Sequence, residues 1–277
     1  MGCCFTTICR ESSTSEIETF PKGYTDIKLL HQGKSRSVYT CSYQNRRVCF
    51  KIIPLSSSTW RNEIRLLEYC KDKNLPSPNL IKAFNKDNFS YILYDYISGM
   101  DLFAYIKKRR PSSEAFIRRL SYNLLSIIHK YHMYGIWHLD LKPENILCVD
   151  GRITNLKLID FGQSVICSLP KINTPSLGTA GYAAPELTDG VCYAKSDIWS
   201  FGIIVYVLFF SEYPLPIDQK RTVVEHIEKY RQDVWVEKFK KFSPESFDFV
   251  NQCLVVDVNK RSGVNELLKH SWFLKNL

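Results

Sequence analysis

The sequence predicts an α+β fold in two unequal parts, a small strand-rich one followed by a larger helical one. From Tyr24 the apolar residues fall in short strand-like runs, at Asp26 to Leu30, Ser37 to Tyr43 and Arg47 to Ile53, with Gln44-Asn45 as the turn between the last two. After about residue 101 they recur at helical spacing, first over Leu102 to Lys108. A long stretch follows from Ala115 to Tyr134, whose Leu120, Leu124, Ile127, Ile128 and Tyr131 share one face. With 277 residues the chain sits near the upper size of one hydrophobic core, so one large domain or two closely joined ones are expected.

Taken in order, residues 1–22 read as a flexible tail. Met1-Gly2-Cys3-Cys4-Phe5-Thr6 fits the pattern for N-myristoylation at Gly2, with Cys3 and Cys4 placed for palmitoylation. A single myristoyl chain binds membrane with a constant of only ~10⁴ M⁻¹ and needs a second anchor. The tail offers Arg10 and Lys22 against Glu11, Glu16 and Glu18, so that anchor would be the palmitate and not charge. The expectation is a lipid-anchored protein on the cytoplasmic side of a membrane, or a cytoplasmic one if the signal is not used.

Arg47 to Ile53 contains a lysine, Lys51, inside an apolar strand, and Arg61 to Glu68 follows as an amphipathic helix with Trp60, Ile64 and Leu67 on one face. Ile92 to Leu102 reads as a last strand running into a link between the two parts. In the second part, Ile198 to Phe210 is apolar all round, as a helix buried on every side would be. Helices around Val223 to Arg231, Pro244 to Leu254 and Val264 to His270 are expected to complete the part, with no further domain.

Bulk properties exclude several classes. A hydrophobic content of 45% and a charged content of 23% are those of an ordinary globular protein. The net charge of +9 is spread over scattered Lys and Arg residues, and no run of aromatic and basic residues points to nucleic acid. Ten cysteines with no CxxC pair and no secretory signal read as reduced and mostly buried. The apolar run from Gly202 to Phe210 is far short of the ~20 residues that a membrane helix needs. His129 and His132 stand three apart, but no Cys, Asp or Glu is near enough in sequence to suggest a metal site.

The chemistry concentrates in His138-Leu139-Asp140-Leu141-Lys142-Pro143-Glu144-Asn145-Ile146-Leu147. An aspartate, a lysine two residues on and an asparagine three further suit phosphate transfer: a base for a hydroxyl, a counter-charge, and an oxygen ligand for magnesium. Downstream come Asp160-Phe161-Gly162, Ala184-Pro185-Glu186 and Asp197-Ile198-Trp199-Ser200-Phe201-Gly202, and upstream Val48-Cys49-Phe50-Lys51. In order and spacing these motifs resemble the eukaryotic-type serine/threonine protein kinase family from about Tyr24 onward. His138 to Asn145 is similar there to the myosin light chain kinase and death-associated kinase group, and to the Mos type.

The resemblance implies a two-lobed kinase domain over 23–277, with an N-lobe of about 24–96 and a C-lobe of about 101–277. It implies ATP and Mg²⁺ as cofactors and protein Ser/Thr hydroxyls as substrates. Asp140 would take the hydroxyl proton, Lys142 would neutralise the transferring phosphoryl, and Asn145 and Asp160 would hold Mg²⁺. Lys51 would hold phosphates while paired with a helix glutamate, Glu63 by position and Glu68 if the register shifts. Leu30 and Val38 would enclose the adenine, backbone groups of Asp95 and Ile97 would bond its edge, and Asp101 would lie near the ribose. Thr179 matches the residue that bonds the catalytic aspartate and lysine. Glu186 and Arg261 match a buried ion pair, and Asp197 the start of the central helix. No calmodulin site is expected, since no basic amphipathic extension follows.

Two departures stand out. The glycine-rich lid of the family, GxGxxGxV, is here His31-Gln32-Gly33-Lys34-Ser35-Arg36-Ser37-Val38, so only Gly33 survives. Leu139 stands where many kinases carry an arginine that pairs with a phosphorylated activation loop, which leaves Thr174 and Ser176 without that acceptor. The alternative readings are a pseudokinase scaffold, favoured by the degraded lid, and a small-molecule kinase, disfavoured by Ala184-Pro185-Glu186 and the helix after Asp197.

Overall fold

The computed structural model describes residues 23–33, 36–109, 113–174, 178–214, 227 and 231–274. Gly2, Cys3, Cys4 and Ser176 lie outside the described residues, as does the helix expected over Val223 to Arg231 apart from Ile227 and Arg231.

Five antiparallel strands make the N-terminal sheet: β1 (Tyr24–Gln32), β2 (Ser37–Tyr43), β3 (Arg46–Pro54), β4 (Leu80–Lys86) and β5 (Phe89–Asp95), in the order β1-β2-β3-β5-β4. The β2–β3 hairpin turns at Gln44 and Asn45, with φ of 49° and 60°, the two positive values that a tight turn matching the strand twist demands. β4 was not expected from the sequence. Its burial runs half-buried, exposed, exposed, half-buried, so it lacks the alternation by which a strand is read.

The period of two along β3 sends Val48 and Phe50 to the outer face of the sheet, where they pack with Tyr39, Cys41, Tyr91 and Leu93. Lys51 and Ile53 point the other way. There helix α1 (Thr59–Asp72) lays Leu66, Leu67 and Cys70 against Ile53 and Ile92, and that cluster continues into the core of the second lobe. Lys51 is therefore carried by its strand into the cleft between lobes.

The second lobe begins with β6 (Gly99–Asp101), α2 (Leu102–Arg109) and α3 (Glu114–Met133), the last capped by Ser113, whose side chain accepts from the Phe116 amide. Short strands β7 (Ile136–Trp137), β8 (Ile146–Val149), β9 (Leu156–Leu158) and β10 (Val165–Ile166) frame the stretch from His138 to Asn145. β11 (Ile172–Asn173), α4 (Pro185–Thr188) and β12 (Val191–Cys192) lead to α5 (Ala194–Phe210). As the sequence predicts, α5 is buried on nearly all sides. Gly202 sits on it because a methyl group there would lie 2.6 Å from Cys253 Cβ. After the π-turn Arg231–Trp235 come α6 (Val236–Phe239), α7 (Pro244–Cys253), α8 (Val264–Leu267) and α9 (Ser271–Leu274). The helix expected over Val264 to His270 is thus only a turn long.

All seven described cysteines are free, and all but Cys167 are buried. No helix among the described residues is long and apolar enough to cross a membrane.

Candidate active site

Lys51, only 3% exposed, gives its ammonium to both oxygens of Glu63, at 2.7 and 2.5 Å, and to Asp160 Oδ1 at 2.9 Å. Glu63 is therefore the helix partner, and Glu68 lies exposed a turn and more away. Burial works against the Lys51 charge, but Asp160 and Glu63 outweigh it and hold the pKa above its ordinary value. Burial likewise opposes the Asp160 carboxylate, and Lys51 with Arg36 more than reverses it, leaving Asp160 ionised far below the usual carboxylate range. Both groups are charged throughout the physiological range.

The catalytic-loop residues are bonded as one network. Thr179 donates its hydroxyl to Asp140 Oδ1 at 2.5 Å, and Lys142 reaches both Thr179 Oγ1 at 2.7 Å and Asp140 Oδ2 at 3.1 Å. The Asn145 amide nitrogen donates to the Asp140 carbonyl at 2.8 Å and to Asp140 Oδ2 at 3.1 Å, which turns Asn145 Oδ1 into the remaining hard oxygen. Among the described residues no three His, Cys, Asp or Glu side chains form a metal cage. An amide oxygen plus one carboxylate fits Mg²⁺ all the same, since that ion keeps several waters and takes the rest of its ligands from phosphate.

The loop is held from behind. Asp197, 1% exposed, accepts the amides of His138 and Leu139, each at 2.8 Å, and His132 Nε2 at 2.9 Å. These bonds stabilise Leu139 in the left-handed region, φ 62°, where a branched side chain is disfavoured by roughly 1–2 kcal/mol. Asp140 N donates to His138 Nδ1, so the proton of that ring lies on Nε2, which donates to the Ile159 carbonyl at 3.1 Å. Phe161 is fully buried and stacks on Tyr131, and Asn62 beside Glu63 donates to the carbonyls of Phe161, Gly162 and Ser164. Asn62 was missed in the sequence, where nothing local marks a partner a hundred residues away.

Glu186 and Arg261 form the expected ion pair, at 2.7 and 2.9 Å. Arg261 also donates to the carbonyls of Val255, Lys195 and Val256, so its five N–H groups all find acceptors inside the protein.

At the hinge, the Asp95 amide donates to the Asn79 carbonyl at 3.1 Å, which leaves its own carbonyl as the group a base edge could use. Ile97 lies in the extended link between β5 and β6. Leu30 is exposed, and Val38 is half-buried. Asp101, expected near a ribose, is 4% exposed, and its carboxylate caps α2 by accepting the Ala104 amide at 2.7 Å. Burial, opposed by those backbone bonds, pushes its pKa up to about 6.

Fold and site together define a two-lobed α+β enzyme scaffold with a phosphate-transfer cleft. Residues 24–273 match the family model for the protein kinase domain, and the chain belongs to that family, in its eukaryotic-type serine/threonine branch. Similar proteins include calcium-dependent protein kinase 3 of Plasmodium yoelii yoelii, 29% identical over 221 residues that cover 78% of this chain and 40% of that protein. Serine/threonine-protein kinase kin-29 of Caenorhabditis elegans is 33% identical over 236 residues, 82% of this chain and 28% of its own length. Calcium/calmodulin-dependent protein kinase type II alpha chain of Drosophila melanogaster is 31% identical over 206 residues, 72% and 39%. The chain thus spans well under two thirds of the length of these relatives.

Proposed function

We propose that the chain transfers the γ-phosphoryl of Mg-ATP to Ser or Thr hydroxyls of protein substrates. The observation that carries this reading is that both halves of the site are assembled: Lys51 is paired to Glu63 and Asp160, and Asp140 is linked to Lys142, Thr179 and Asn145. A scaffold without phosphotransfer has no use for both. Asp140 orients the hydroxyl of the substrate and accepts its proton, while Lys142 places a positive charge beside the attacking oxygen. Lys51 holds phosphate oxygens with its position fixed by Glu63. Asn145 and Asp160 would hold Mg²⁺, which when bound supplies neutralising charge to the phosphates.

Incubation with Mg-[γ-³²P]ATP and a protein substrate, followed by phosphoamino-acid analysis, tests this directly. Phosphoserine or phosphothreonine should form with the wild type and fall at least about a thousandfold with Asp140→Asn. Equal incorporation by the two proteins would mean that transfer does not run through Asp140, and none by either would return the reading to a pseudokinase scaffold. The tail motif further supports work at a membrane surface. Gly2→Ala should then shift the protein from the membrane to the soluble fraction, and a wild type that is soluble and unacylated would remove that part of the reading.

A further inference from the structure

The lid departs from the glycine pattern at the position of Arg36, and that residue does not point to solvent. Its Nη2 lies 2.6 Å from Asp160 Oδ2, while Lys51 takes Oδ1 at 2.9 Å. Both oxygens of the proposed metal-binding carboxylate therefore already carry a cation of the chain. The two are not equivalent, since the Arg36 side chain is 31% exposed and that of Lys51 only 4%. A cation arriving from solvent meets Arg36 first.

The lid backbone gives a second, independent observation. The amide of Gly33, the one glycine that survives, donates to the Arg36 carbonyl at 2.8 Å. A side chain at Gly33 would meet that carbonyl at 3.2 Å and the His31 ring at 3.4 Å, so His31 and Arg36 fold together over it. With that bond the Gly33 amide is directed at the lid's own backbone, and the positive charge is supplied by a side chain.

We propose that Arg36 is a resident cation of the phosphate site, neutralising Asp160 before nucleotide arrives and turning to the triphosphate when nucleotide binds. This rests on the kinase reading of the same cleft. Two consequences follow from the exchange. Arg36 strengthens the binding of ATP without metal, because its guanidinium can turn to phosphate, and it raises the Mg²⁺ concentration needed for the metal complex, because the ion must displace a charge-assisted bond.

Calorimetric titration of the full chain with ATP, in EDTA and across a series of MgCl₂ concentrations, reads both. Arg36→Gly should weaken metal-free ATP binding about tenfold and lower the half-saturating Mg²⁺ severalfold, with Arg36→Lys in between. The melting temperature without nucleotide should stay within a few degrees, since the residue stands on a half-exposed lid. If Arg36→Gly changes neither quantity while wild type and variant both transfer phosphate, Arg36 is only a surface ion pair and the proposal falls alone. If the wild type binds no ATP with or without Mg²⁺, the kinase reading falls with it.

Discussion

In the stretch from His138 to Asn145 every residue is buried or half-buried, and its backbone is fastened from behind by Asp197. In the lid, from His31 to Arg36, the described residues are half-buried or exposed, and a cation, Arg36, stands where the family pattern has glycine. The first region fixes its charges through bonds made within the fold. In the second, Arg36 holds its charge against Asp160 across the cleft, where solvent can reach it. The difference separates positioning from entry: the groups that must be placed to a fraction of an ångström sit in the buried loop, and the cation that would yield to a ligand sits on the part-exposed lid.

The largest effect is expected from breaking the buried side. Asp197→Asn replaces a carboxylate that accepts three N–H groups with an amide that can accept at one end only, so one donor meets another in a buried place. Destabilisation of about 3 kcal/mol or more, read by denaturant unfolding, should accompany a drop in kcat of at least about a hundredfold. Wild-type stability and turnover in this variant would show that the left-handed bend at Leu139 holds itself, and the contrast with the lid would lose its basis.

That contrast also divides what the sequence makes legible. Asp140, Lys142 and Asn145 are close in the chain, and their roles follow from spacing, because short loops have few ways to place three groups. Lys51 is legible from strand alternation. The choice between Glu63 and Glu68 is not, since it depends on how far the segment after β3 runs before α1 begins, and the helix starts at Thr59. Arg36 reads in the sequence as a lost glycine and a gain of charge; its partner lies 124 positions away and only folding brings the two together. Asp101 shows a second role that spacing alone does not give: a carboxylate just before a helix accepts a first-turn amide, here that of Ala104.

A smaller effect is expected beside the hinge, where burial raises the pKa of the Glu144 and Asp101 carboxylates. Glu144 has an oxygen that is buried with no hydrogen-bond partner among the described residues, and burial raises its pKa. Asp101 is raised by burial from 3.8 to about 6. Because its folded-state value lies above the unfolded one, the folded protein binds the extra proton between those values. The corresponding stability is fully present below pH 3.8 and is lost as pH rises through about 6. Asp101→Asn can still accept the Ala104 amide but does not ionise, so its stability relative to wild type should improve by on the order of 2 kcal/mol from pH 4 to pH 7. Thermal melts of both proteins across that range check this, and a difference that does not vary with pH would mean that Asp101 ionises as it does in the unfolded chain.

The smallest effect should come from the activation segment, and it sharpens the claim that the loop is held from behind. Leu139 is 1% exposed and carries no charge, so a phosphate on the segment finds no arginine at that position. Backbone pairing holds the segment: Ile172 pairs with Cys192, Asn173 with Val191, and the Thr174 amide donates to the Gly190 carbonyl at 2.8 Å. Removing the Thr174 hydroxyl breaks none of these. Thr174→Ala should therefore leave kcat within about twofold of wild type, whereas Thr179→Ala, which removes the hydroxyl bonded to both Asp140 and Lys142, should lower it by ten- to a hundredfold. Assay of both variants beside wild type that has been incubated with Mg-ATP, so that the segment can carry its phosphate, separates the two. A loss at Thr174 as large as that at Thr179 would mean that a phosphate in front of the loop, and not the Asp197 carboxylate behind it, sets the catalytic geometry.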